Sequence, residues 1–85
     1  MTKEKLLSKI APYLQELFGD NYSFELNTAF DSIGMSSIRF ILLIVKCEEE
    51  FKIEINDNSL IMSKYTTLDD FFDMISNQVR QGVKR

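Results

Sequence analysis

The sequence predicts an all-α domain: a small four-helix bundle with three long helices, one short third helix and a long first connection. Apolar residues recur at helical spacing in three separate stretches of the 85-residue chain. Three glycines and one proline are too few for the tight turns of an all-β barrel. A composition of 45% apolar and 27% charged residues excludes a disordered acidic tail, a collagen-like chain and a low-complexity linker. The length allows one domain, 1–85, with one core, and is short for most enzyme folds that enclose a substrate.

The first helix is expected over about residues 3–18, where Leu6, Leu7, Ile10, Leu14, Leu17 and Phe18 share one face. Thr2 is its candidate N-cap and Gly19 its stop. Pro12 falls inside it and predicts a kink near Ser8 rather than two separate helices. Residues 19–36 show no periodicity. Tyr22, Phe24, Leu26 and Phe30 are spaced to pin this long connection onto a core, so it is expected to be ordered. The second helix is expected over about 37–51, with Ile41, Ile44, Cys47 and Phe51 inward and Phe40 beside them. Lys52-Ile53-Glu54-Ile55 alternates like a strand but is short and has no partner run, so it reads as an extended connection. A short third helix is expected over about 58–63, capped by Asp57 or Asn58. The fourth, about 67–79, places Leu68, Phe71, Phe72, Ile75 and Val79 on one face, with Thr66 or Thr67 as N-cap and Asp70 three residues past Thr67. The tail beyond Val79 is expected to fray.

Several chemistries are excluded by residue type. The chain has no histidine and a single cysteine, Cys47. An internal disulfide, a usual zinc site and a histidine-based triad or general base are therefore ruled out. Cys47, on the expected core face, reads as a buried small hydrophobe. Asn56-Asp57-Asn58-Ser59 has calcium-loop character but lacks the glycine and glutamate such a loop requires at its sixth and twelfth positions. The apolar run Phe40 to Val45 is far short of the roughly 20 residues that span a bilayer, and the charged start has no signal-peptide stretch behind it. The expectation is a soluble cytoplasmic monomer, neither metal-dependent nor inserted in a membrane. The net charge of −3 divides into −8 over residues 16–73 and +5 at the two ends. An acidic middle repels phosphate backbones and disfavours a nucleic-acid role.

The stretch that carries chemistry is Phe30-Asp31-Ser32-Ile33-Gly34-Met35-Ser36-Ser37-Ile38, with Glu48-Glu49-Glu50-Phe51 ten residues further on. Ser37 stands where a helix begins, and the unpaired amides and positive dipole end there favour a phosphodiester. Gly34 lets the backbone turn into that helix, and Arg39, two residues on, is a candidate cation for a phosphate. With its flanking residues this segment resembles the acyl carrier protein family, which includes fatty-acid, polyketide and peptidyl carriers. Thr66-Thr67-Leu68 with Phe71, Phe72 and Ile75 is similar to that family's last helix, so the resemblance covers nearly the whole chain.

The resemblance implies a non-catalytic carrier. A phosphopantetheinyl transferase would attach 4′-phosphopantetheine from coenzyme A to Ser37, making it a phosphoprotein. The arm's thiol would hold an acyl, aminoacyl or peptidyl group as a thioester between an acyl- or aminoacyl-loading enzyme and a downstream synthase or transferase. Asp31-Ser32-Ile33 copies the family's Asp-Ser-Leu triplet but lacks the preceding Gly-X pair and lies five residues too far from Glu48-Glu49-Glu50-Phe51. The family's aspartate before the serine is Ser36 here, which caps a helix as well but puts efficient modification by a generic transferase in question. Met35 and Tyr65 stand at hydrophobic family positions flanking the arm, and equally fit ordinary packing.

On the helical wheel Ile38, Leu42 and Val45 form an apolar stripe that ends near Glu49. With Arg39 and Lys46 it makes a surface less acidic than that of fatty-acid carriers. Two readings stand: a docking face for a partner, comprising Met35, Ile38, Arg39, Leu42, Val45, Glu49 and Tyr65, or core covered by residues 19–36. The non-acidic helix and standalone length lean toward a specialised polyketide, nonribosomal peptide or lipid pathway. The alternative function is an unmodified adaptor of the same fold that binds a partner through this helix.

Overall fold

The computed structural model describes residues 2–56 and 59–81. Among these are three α-helices, α1 (Lys3–Phe18), α2 (Ser37–Phe51) and α3 (Leu68–Gln81), and 3₁₀ turns at Phe30–Ile33 and Met62–Lys64. The class is all-α; of the short third helix expected at about 58–63, Asn58 lies outside the described residues, and the described part has 3₁₀ conformation at Ser59 and over Met62–Lys64 rather than an α-helix. So few residues give too few hydrogen bonds to offset the cost of nucleating an α-helix. A local side-chain bond braces the segment: Tyr65 Oη donates to the Ser59 carbonyl at 2.7 Å. The caps expected from Asp57 or Asn58 lie outside the described residues, as does the part of the tail beyond Gln81 that was expected to fray. The helix runs past Val79 as far as Gln81.

Thr2 caps α1 by accepting from the Lys5 amide at 3.2 Å, and Gly19 leaves the helix at φ 98°. The helix is continuous through Pro12. The carbonyl of Ser8, which loses its donor there, belongs to an exposed residue that water can reach. α1 buries Leu6, Ile10, Leu14 and Phe18 and packs against both other helices. Lys3 Nζ adds an ion pair to Asp69 at 2.8 Å.

Residues 19–36 are ordered by work done for α3. The first amides of a helix lack intrahelical acceptors. Here Leu68 N–H donates to the Thr28 carbonyl at 3.0 Å and Asp69 N–H to the Leu26 carbonyl at 2.7 Å. An isolated antiparallel bridge pairs Ala29 with Thr67. Thr67 is the N-cap: its Oγ1 accepts from the Asp70 amide at 3.3 Å, while Asp70 Oδ2 accepts from the amides of Thr67 at 3.3 Å and Thr66 at 3.0 Å. Asp70→Ala removes both returning bonds and is expected to cost about 1 kcal/mol, read as a lower urea midpoint at unchanged slope.

The core collects Phe30 and Ile33 from the connection, Ile53 and Ile55 from the extended segment after α2, and Leu68, Phe71, Phe72 and Ile75 from α3. On α2 the buried residues are Phe40, Leu43, Ile44 and Cys47. This corrects the expected core face: Ile41 is exposed, Leu43 takes its place, and Phe51 is only half-buried. The unbroken apolar run Phe40 to Val45 gives periodicity nothing to discriminate; only the position of α1 and α3 decides which side is inside.

Candidate functional site

The entry to α2 is built by two local devices. The 3₁₀ turn Phe30–Ile33 ends at Gly34, which adopts φ 68°, ψ 40°. A side chain there would be strained by the backbone angle rather than by crowding, since an added Cβ would meet only Arg39 Nη1 at 3.8 Å. Ser36 then supplies the N-cap, its Oγ accepting from the Arg39 amide at 3.3 Å. Helix α2 starts at Ser37, whose side chain is exposed.

The three serines of this segment differ in what their hydroxyls do. Ser32 Oγ donates to the Ala29 carbonyl at 2.7 Å within the 3₁₀ turn, and Ser36 Oγ is occupied by the cap. Among the described residues no protein group hydrogen-bonds the Ser37 hydroxyl, nor do any acceptors take the amides of Ser37 and Ile38. These amides sit at the positive end of a 15-residue helix, a setting that suits a phosphodiester on the neighbouring oxygen. An accessible, uncommitted hydroxyl beside unpaired amides fits a covalently attached phosphate group.

Arg39 is engaged elsewhere than expected. Its Nη1 donates to the Gly34 carbonyl at 3.3 Å and its guanidinium lies over the Phe18 ring, 5.3 Å from the centroid. It ties the turn before α2 to the end of α1, which makes it a support of the site's backbone. Lys46 is placed similarly, 5.0 Å from the centroid of Tyr13.

Of the residues expected to face a partner, Ile38, Arg39, Leu42, Val45 and Glu49 are brought together on one exposed side of α2. Exposure is 74% at Ile38, 44% at Leu42 and 41% at Val45, so residues 19–36 do not cover the stripe. Met35 and Tyr65 are partly buried and pack on the core. Ile41 widens the stripe, and Ile61 forms a further exposed apolar residue after it; the wheel alone could not find Ile41 because its neighbours are apolar on every side. The acidic triplet is divided by task. Glu48 Oε2 accepts from the Ile55 amide at 2.9 Å and Glu50 Oε1 from Tyr13 Oη at 3.5 Å, while Glu49 is exposed.

Cys47 is fully buried, and burial, with Glu48 and Glu50 adding, pushes its thiol far above the ordinary range. It is a packing residue, inert as a nucleophile. Among the described residues no group of acidic or cysteine side chains could hold a metal ion, and no helix is long and apolar enough to cross a membrane.

Comparison with known families finds a match to the model described as "Phosphopantetheine attachment site" over residues 8–75. Comparisons with curated proteins and with solved structures give no match.

Proposed function

The chain belongs to the phosphopantetheine attachment-site family, and from that premise we propose that Ser37 is the residue that bears the group. It is a carrier of the acyl and peptidyl kind, and its cofactor is covalent 4′-phosphopantetheine. The observation that carries the assignment is the state of the hydroxyls: Ser32 and Ser36 are committed to backbone partners, whereas Ser37 is exposed and uncommitted at the first position of α2.

When bound, the group supplies a thiol that holds a carried acyl or aminoacyl moiety as a thioester. The chain's own residues position it. Ser37 Oγ would provide the oxygen bonded to phosphorus and the amides of Ser37 and Ile38 would meet its negative charge, while Gly34 and Arg39 fix the backbone leading into the helix. The domain itself does no chemistry on the carried group. Its partners are a phosphopantetheinyl transferase, a loading enzyme and a downstream synthase or transferase, in a specialised polyketide, nonribosomal peptide or lipid pathway. The lack of acidic residues between Ile38 and Val45 supports that pathway class, and the exposed apolar stripe there supports docking.

Incubation with coenzyme A, magnesium and a broad-specificity transferase, followed by intact mass, tests the reading. A gain of one phosphopantetheine is the expected result; no gain with several transferases favours the unmodified adaptor. Docking has its own test in Leu42→Glu. Because Leu42 is 44% exposed, the substitution is expected to shift stability by no more than about 0.5 kcal/mol while sharply reducing transfer by the partner enzyme. A large fall in melting temperature would instead assign Leu42 to the core.

A further inference from the structure

The outward side of α2 is charged in the opposite sense to the chain that carries it. The chain's net charge is −3, yet between Asp31 and Glu48 it holds two cations, Arg39 and Lys46, and no acid. The rest of the chain therefore carries −5. Both cations are fixed on one flank of the apolar stripe. The Arg39 guanidinium lies 5.3 Å from the centroid of Phe18, and the Lys46 ammonium 5.0 Å from that of Tyr13. Both rings belong to α1. Stacking of this kind holds a cation in place without neutralising it; Arg39 remains exposed and Lys46 half-buried. Helical geometry puts Ile41, also exposed, on the other side of the stripe from them.

The acids on either side in sequence do not offset these cations along the stripe. Asp31 belongs to the 3₁₀ turn that ends at Gly34, before the helix begins. Glu48 Oε2 accepts from the Ile55 amide at 2.9 Å and Glu50 Oε1 from Tyr13 Oη at 3.5 Å, so both carboxylates are drawn toward the protein. Glu49 alone of the triplet is exposed, and it closes the stripe at its C-terminal end. In 0.1 M salt charges are screened beyond about 10 Å. A surface seated on Ile38, Leu42 and Val45 therefore responds to Arg39 and Lys46 beside it more than to the net charge of the molecule.

We propose that the protein partner docked on α2 meets it with an apolar surface bordered by carboxylates, and that these carboxylates face Arg39 and Lys46. The proposal rests on the reading of α2 as the docking face and is independent of which serine is modified. Two synthetic amphipathic helical peptides test it on the unmodified protein. They share one leucine face, flanked by glutamates in the first peptide and by lysines in the second. Binding is followed at the amide resonances of Ile38, Leu42 and Val45.

The glutamate peptide is expected to bind about tenfold more tightly at low salt, the scale of a few exposed ion pairs. In 1 M salt, where charges are screened beyond about 3 Å, the two affinities should converge to within about twofold. A net charge of −3 acting as a whole would give the reverse order. Tighter binding of the lysine peptide at α2 therefore overturns the proposal while leaving docking there intact. Shifts at α2 from neither peptide overturn it together with the docking reading. Lys46→Glu sets one acid against one remaining cation on the flank and should bring the two affinities together at low salt. A folded Lys46→Glu protein that keeps the full preference removes the flank as its cause and overturns the proposal. If that variant fails to fold, the wild-type order and its salt dependence decide.

Discussion

Ser37→Ala is expected to abolish attachment of phosphopantetheine completely, while Ser32→Ala and Ser36→Ala are still modified. The reason is chemical: the bond to phosphorus is made through the side-chain oxygen, and alanine has none. The three substitutions also separate by stability. Ser37 is exposed and its hydroxyl is uncommitted, so its loss should shift stability by no more than about 0.5 kcal/mol. Ser36→Ala removes the cap on the Arg39 amide and is expected to cost about 1 kcal/mol. Ser32→Ala loses a hydrogen bond to the Ala29 carbonyl in an exposed turn, with a cost of about 1 kcal/mol or less. Intact mass and a urea titration on the same samples read both effects. A modified Ser37→Ala protein would end the assignment, and an unmodified Ser32→Ala protein with intact fold would move it to the 3₁₀ turn.

The largest stability effect is expected at Phe71. Its ring is fully buried and contacts Phe30, Phe40, Tyr65 and Phe72, the last at a centroid distance of 5.2 Å. Truncation to alanine removes the buried area and leaves a cavity bounded by rings that cannot all collapse into it, at a cost of about 3–5 kcal/mol. A domain of this size holds only about 5–15 kcal/mol in total. The melting temperature should therefore fall by roughly 15–30 °C, against no more than a few degrees for Ile38→Ala on the exposed stripe. Comparable losses for the two substitutions would mean that α2 is turned differently from the way described here.

How far the fold could be read from residues depended on contrast within each helix. In α1 and α3 apolar and polar residues alternate at helical spacing, so Leu6, Ile10 and Leu14, and Leu68, Phe71, Phe72 and Ile75, are assigned to the core by pattern alone. In α2 the start is legible from Gly34 and the two serines, but six consecutive apolar residues from Phe40 to Val45 hide the inward face. Leu43 and Ile41 exchange roles for that reason. The 3₁₀ turn Phe30–Ile33 and the bonds from residues 26–28 to the start of α3 depend on contacts between segments some forty residues apart, which no local spacing encodes.

The site shows the same division. Ser37 is legible as a candidate because glycine, a serine pair and a following apolar helix imply a helix start, and because the resemblance to the carrier family implies an acidic triplet at this distance. What separates it physically from Ser32 and Ser36 is hydrogen-bond accounting, which requires coordinates. Arg39 shows the reverse: its charge two residues from Ser37 suggests a phosphate partner, but the guanidinium is held by the Gly34 carbonyl and the Phe18 ring.

The most direct measurement is mass-spectrometric peptide mapping of the protein purified from its native host. The account predicts a phosphopantetheine-bearing peptide whose fragments place the group on Ser37. Recovery of that peptide with Ser37 bare in every preparation, or with the group on another residue, would contradict it.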